Sequence, residues 1–219
     1  GYGKHLLIMA EGFISANYDE VILGGGGLLQ GVPCDNDEES SVPFFEKRGY
    51  SADFLSVNMG LELNDKAVEK LKETPRPNGV TYRFADDNDR EKLLAAVKDS
   101  QADWLPIFEE NSDAPVLLAV CGDEIAGFEM VEEYGGMFFS DNEKHSMIGC
   151  VGVTHKYRRR GIGLAMTAEG SLSLYERNCK DIQLLYVERV AWYNKLGYEV
   201  TSRQWMGRKK IPVSYTHLT

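Results

Sequence analysis

The run Cys150-Val-Gly-Val-Thr-His-Lys-Tyr-Arg158-Arg-Arg-Gly-Ile-Gly163-Leu-Ala carries the residue types of a phosphate cradle. Its apolar opening reads as a strand. Three arginines follow, and Gly161-Ile162-Gly163 leads into a segment patterned as a helix. Glycine lets backbone N–H groups approach a ligand with no Cβ in the way. A helix beginning there aims its free N–H groups and the positive end of its dipole at the same point. Hydrogen bonds to a charged group contribute roughly 1.5–3 kcal/mol each, so several together can hold a pyrophosphate. The same residues also fit a basic turn that merely caps a core helix. Two other phosphate motifs are excluded. There is no Gly-Lys-Ser/Thr, and Met166 stands where a dinucleotide fold needs its third glycine.

The elements around this turn must position it. Val80–Phe84 reads as a short strand and Asp89–Lys98 as a helix with acidic residues and an Asn before its first turn. Val116–Cys121 and Glu124–Val131 flank Gly122-Asp123, a hairpin signal. Met147–Thr154 is a further apolar strand. Gly163–Asn178 has Leu164, Ala168, Leu172 and Tyr175 at helical spacing. Asp181–Val187 reads as a strand, followed by a short helix through Lys195 and a strand from Tyr198. This order predicts an α+β fold on a mixed sheet.

One pattern occurs twice. Phe45-Glu-Lys-Arg-Gly-Tyr50 and Tyr193-Asn-Lys-Leu-Gly-Tyr198 share the form aromatic-x-Lys-x-Gly-Tyr. Each precedes a strand-like run, Tyr50 to Leu63 and Tyr198 to Lys209. Upstream, Gly1-Tyr2-Gly3 and Gly161-Ile162-Gly163 each open a helical pattern. The first copy is longer by an insertion around Gly24–Ser41, whose glycines and acidic residues read as a flexible loop. Residues 1–63 thus read as the tail of one module, 64–78 as a linker with a Pro-x-Pro break, and 79–211 as a nearly whole second module. The last residues, 212–219, resemble read-through of a sequencing adapter and are set apart from the fold.

Composition narrows the function classes. The 219 residues are 43% hydrophobic and 26% charged, as in an ordinary globular chain. A net charge of −10 points away from a general nucleic-acid or anionic-membrane binder. Cys34, Cys121, Cys150 and Cys179 form no close pair, and the four histidines are scattered, so no metal site is expected. No apolar run reaches the ~20 residues of a membrane span. A reduced, cytoplasmic chain is the expectation.

The Arg-x-x-Gly-x-Gly turn together with the later Tyr-x-Lys-x-Gly-Tyr resembles the GNAT (Gcn5-related) N-acetyltransferase superfamily across roughly Val80–Ile211. That resemblance implies a GNAT-like acyl-CoA N-acyltransferase fold, with a truncated second copy of it over residues 1–63. Its sheet would part between the fourth and fifth strands to admit the pantetheine arm. It also implies an enzyme moving an acetyl group from acetyl-CoA to a primary amine by direct attack in a ternary complex. The acceptor would be a small molecule or peptide. Arg158, Arg159, Arg160, Gly161, Ile162 and Gly163 would hold the pyrophosphate, mostly through backbone N–H groups. Val151, Gly152 and Val153 would form the strand edge along pantetheine, with an N–H near Val153 polarising the thioester carbonyl. Tyr193 matches the family's proton donor to the departing thiolate, whereas the first copy carries Phe45 there. A non-catalytic acyl-CoA-binding module for sensing or assembly is the alternative.

The remaining residues carry weaker expectations. Glu129 and Glu133 lie where the family often places a base or water relay, yet a solvated strand-face glutamate fits each as well. Cys150 reads as a buried structural thiol and His155 as exposed. Trp104, Phe108, Phe138 and Phe139 fit an acceptor pocket or plain packing.

Overall fold

The computed structural model describes residues 1–25, 30–36, 40–135 and 142–212. Along the chain run α1 (Tyr2–Ile14), β1 (Glu20–Leu23), β2 (Val32–Pro33), α2 (Val42–Glu46), β3 (Ser51–Glu62), α3 (Asp65–Glu73) and β4 (Thr81–Phe84). Then come α4 (Arg90–Gln101), α5 (Leu105–Glu110), β5 (Val116–Cys121), β6 (Glu124–Glu132), β7 (His145–Val153) and α6 (Ile162–Glu176). The chain closes with β8 (Asp181–Leu184), α7 (Val190–Tyr193) and β9 (Glu199–Lys210). It divides into two units: residues 1–58 with 201–219, and residues 59–200.

The larger unit holds an α+β mixed sheet in the order β3-β8-β7-β6-β5-β4, to which β3 lends Met59–Glu62. All neighbours are antiparallel except β7 and β8, which run parallel. β6 is buried on both faces because helices cover each side. Phe128 and Met130 pack into a core with Leu93, Val97, Phe108 and Leu118, under α4 and α5. The intervening Gly127, Glu129 and Val131 face α6, where the backbone of Gly127 nears Met166 and that of Gly170 nears Glu129 and Val131. Trp104 and Phe108 stack edge-on against Phe128, so both are packing residues here. Phe138 and Phe139 lie outside the described residues.

The smaller unit pairs β9 with β1, Val21 opposite Lys209, and with β2, Val32 opposite Trp205. Val21, Tyr50, Trp205 and Ile211 form its core. Tyr50 donates to Glu11 Oε1 (3.0 Å), and Lys209 Nζ bonds the same carboxylate (2.8 Å).

Three expectations need correction. Residues 64–78 are not a plain linker: Asp65–Glu73 is α3, with Ala67, Val68 and Leu71 buried. The Asn64 side chain caps it by accepting from the Ala67 N–H (3.0 Å). The cap and the helical spacing are local signals, and the Pro-x-Pro break lies beyond the helix they define. The insertion is not all loop, since Val32–Pro33 pairs with β9. Finally, the unit boundaries fall at 58/59 and 200/201, because β9 completes the smaller unit and the end of β3 completes the larger one.

Candidate functional site

The site is built where β7 loses a neighbour. Its ladder with β8 covers only His145–Met147 against Asp181–Gln183. From Ile148 to Val153 β7 continues beside β6 alone, so the sheet parts between the fourth and fifth strands counted from β4. Beside this opening β7 carries a bulge. Gly152 faces Phe128 and Gly149 faces Met130, so Cys150 and Val151 together stand opposite Glu129. Cys150, within it, takes a left-handed conformation (φ 50°). A bulge puts one residue's backbone groups outside the ladder and re-aims them. The Val153 carbonyl itself accepts from Arg158 Nε (3.0 Å) and Ser100 Oγ (3.2 Å).

The arginine turn follows directly. Thr154 leads into a 3-10 turn, His155–Tyr157, and Arg158–Gly161 are exposed. Arg158 is a clasp: besides Val153 it bonds the Ser100 carbonyl (3.0 Å). Asp99 fixes the start of the turn by accepting from the His155 N–H (2.7 Å), and that bond is the main cause holding its carboxyl below the usual range. His155 is exposed, as expected. Arg160 lies over the Tyr157 ring (5.2 Å), and Tyr157 donates to Glu124 (3.0 Å). Gly161 is the residue before α6 and adopts φ 78°, which a side chain would strain. Gly161 has no side chain with which to cap α6, so among the described residues its first-turn N–H groups are left without a side-chain cap. Ile162 and Gly163 are buried, and Gly163 packs against Val153 and Trp192.

Tyr193 ends α7, with its ring edge-on to Trp192 (4.6 Å) and near Tyr198 (5.9 Å). No described residue hydrogen-bonds its hydroxyl. Tyr198 differs. Ser171 Oγ donates to the Thr167 carbonyl (2.6 Å), so the Tyr198 hydroxyl donates to Ser171 (2.8 Å). Burial raises the Tyr193 pKa above its ordinary value. Glu129 and Cys150 add to the rise, and Arg189 opposes it. Ser171 joins the two sides of this cluster, bonding both Tyr198, which packs on Tyr193, and Thr167, which donates to Glu129.

Glu129 is not the solvated strand-face residue that the sequence allowed; it is fully buried. Its Oε2 accepts from Thr167 Oγ1 (2.8 Å), while Oε1 has no hydrogen-bond partner among the described residues. Burial pushes its pKa up to about 8, against a smaller lowering by Thr167. A Cβ at Gly170 would enter the van der Waals shell of Oε1. Gly170→Ala should therefore destabilise the fold by about 1–3 kcal/mol despite the better helix propensity of Ala, read as a lower urea midpoint. Glu133 instead is ion-paired with Lys144 (2.7 Å) and Arg177 (3.5 Å). The Cys150 thiol is pushed up to about 11 by burial, in keeping with an unreactive structural role. Thr167, Gly170 and Tyr82, which also face this carboxyl, were not foreseen. Their signal was the apolar run on both sides of Glu129, which marks a strand covered on both faces.

Among the described residues no group of three His, Cys, Asp or Glu side chains is placed to hold a metal, and no helix is long and apolar enough to cross a membrane.

No family model and no curated protein matches this sequence. Solved structures do. One is the GCN5-related glucosamine N-acetyltransferase region of a fungal multi-domain GH3 β-N-acetylglucosaminidase, with a TM-score of 0.71 and 18% identity. The match covers 87% of this chain, which spans only 25% of that one. Another is a GCN5-related N-acetyltransferase from Sphaerobacter thermophilus, with a TM-score of 0.70, 22% identity, and coverage of 96% of this chain and 68% of that one. A third is a tandem GNAT protein from the clavulanic acid biosynthesis pathway, with a TM-score of 0.58, 15% identity, and coverage of 87% and 62%. This chain has the fold of the GCN5-related N-acetyltransferases.

Proposed function

We propose that the larger unit transfers an acetyl group from acetyl-CoA to a primary amine, by direct attack of the amine on the thioester in a ternary complex. The observation that carries this reading is the parting of β7 from β8 beside the start of α6, where Gly163 packs against Val153 and against Trp192, the ring neighbour of Tyr193. The turn Arg158–Gly163 would bind the pyrophosphate through the first-turn N–H groups of α6. Val151, Gly152 and Val153 would border the pantetheine arm, and the bulge N–H would steady the oxyanion. Losing such a donor can cost about 3 kcal/mol of transition-state stabilisation. The phenol of Tyr193 would protonate the sulfur as the C–S bond breaks. Glu129 makes a poor base for the amine, being sealed under α6 and largely neutral at pH 7. The amine's proton then leaves to solvent.

Two measurements test this. CoA at a hundred times its dissociation constant should stabilise the chain by about 2.7 kcal/mol, and sulfate at the same concentration should not. Gly161→Val should shrink that stabilisation by straining the turn, and an unchanged thermal shift counts against the assigned cradle. Thiol release with an amine panel separates an enzyme from a module that only binds acyl-CoA.

We also infer that the smaller unit is part of a second copy of the same fold. In support, both aromatic-x-Lys-x-Gly-Tyr segments place glycine at positive φ, 86° at Gly49 and 97° at Gly197. Each then buries its tyrosine, Tyr50 and Tyr198, and enters a 12-residue strand. With Phe45 at the position of Tyr193, that copy lacks the phenol.

A further inference from the structure

The acyl-transfer reading leaves one buried acid without a task. Glu129 has no accessible surface, one hydrogen bond from Thr167, and a second oxygen with no partner among the described residues. The fold makes room for it, since Gly170 withholds the Cβ that would fill the space. Nearby, the Tyr82 hydroxyl is also buried without a hydrogen-bond partner among the described residues. Resting on the proposed acyl transfer, we propose that Glu129 is a positioning residue: in its neutral form it keeps Tyr193 able to release its proton to the departing sulfur, and its ionisation switches transfer off.

The argument follows the charge. The amine nitrogen attacks the thioester carbon, and the C–S bond then breaks with its electron pair going to sulfur. Sulfur takes the proton of Tyr193 Oη, leaving negative charge on that oxygen. The nitrogen loses one proton to solvent, and Tyr193 regains one from solvent, so the balance is closed. A carboxylate at Glu129 opposes the charge arriving on Tyr193 across a dry interior, where Coulomb repulsion is poorly screened. A neutral carboxylic acid does not. The two groups are joined by a short chain of contacts: Thr167 donates to Glu129 (2.8 Å) and accepts from Ser171 (2.6 Å), Ser171 accepts from Tyr198 (2.8 Å), and the Tyr198 ring packs against Tyr193 (5.9 Å).

The surrounding titratable groups leave Glu129 as the one that changes charge in the relevant range. From β4, Tyr82 faces it, pushed up to about 12 mainly by burial and itself facing Arg76 and Glu169, which are paired at 2.7 Å. From α7 there is Tyr193, with Arg189 just before that helix, and ahead of β9 there is Tyr198, raised by burial. From β7, Cys150 faces Tyr193 and titrates near 11. From α6 the neighbours are Thr167 and Gly170, which do not titrate. Glu129 itself titrates at about 8.

The test is kcat against pH at saturating acetyl-CoA and amine. The unaltered chain should lose about tenfold per pH unit once pH passes the Glu129 titration. Glu129→Gln, neutral at every pH, should keep turnover within about tenfold of the unaltered chain at pH 7 and show no such limb below the range where Cys150 ionises. If that variant folds poorly, Thr167→Val serves instead. It removes the bond favouring the ionised form and should move the limb up by about one pH unit. A limb unmoved in either variant, or loss of turnover at every pH in Glu129→Gln, overturns the role of Glu129. Absence of thiol release by the unaltered chain at every pH instead overturns the acyl-transfer reading.

Discussion

Tyr193→Phe is expected to lower turnover by about 10²–10⁴ while leaving acetyl-CoA affinity within about twofold. The substitution removes one oxygen and keeps the ring, so the edge-on contacts with Trp192 (4.6 Å) and Tyr198 (5.9 Å) survive. The lost atom makes no hydrogen bond to any described residue, so folding stability should hardly change. In the proposed reaction its loss is felt only as sulfur departs, where a proton or a strong hydrogen bond must arrive. Burial makes the phenol a weaker acid than in water. Proton transfer is therefore completed only as C–S cleavage builds charge on sulfur. Tyr198 cannot substitute, because its proton is engaged with Ser171. The check is steady-state thiol release beside CoA binding by calorimetry. Turnover equal to that of the unaltered chain removes Tyr193 from the mechanism.

The second large effect concerns stability against pH. Glu129 has an ordinary value of 4.5 and titrates at about 8 in the folded chain. Between those values the folded state holds a proton that the unfolded state has released. Stability therefore falls as pH rises, by about 1.4 kcal/mol per pH unit for one proton. The contribution is fully present below about 4.5 and gone once pH passes about 8. Glu129→Gln should remove this slope and leave a constant offset, so the difference between the two chains isolates one proton. Asp89, held down to about 2 chiefly by its hydrogen bonds from Arg83, loses its contribution only in acid, outside this window. Urea unfolding at several pH values between 5 and 8 reads the slope directly. Parallel curves for the two chains would show that Glu129 is ionised in the folded state.

Much of the larger unit was legible in the residues. Val116–Cys121 is β5 as read, Glu124–Val131 lies within β6, and the Gly122-Asp123 turn joins them. The helix read over Gly163–Asn178 is α6, because its apolar spacing and the glycine before it are local signals. The exposed turn at Arg158–Gly161 could be placed for the same reason. α3 carries its own cap and buried spacing, but the Pro-x-Pro that follows it is the stronger local signal. The two-residue β2 offered no pattern at all, since only its partner Trp205–Gln204 defines it.

Without coordinates, the residues offer a candidate phosphate turn and a candidate phenol, and they mark most strands and helices of the larger unit. These follow from side-chain type and from the 2.0 and 3.6 periods of the backbone. Tertiary structure alone decided that β9 finishes the smaller unit, that β7 parts from β8 after Met147, and that one extra residue bulges opposite Glu129. It alone sealed that carboxyl beneath α6. Pairing between strands far apart in the chain depends on which faces are left to bury, and a residue's titration on what covers it. Neither quantity is written in the neighbouring residues.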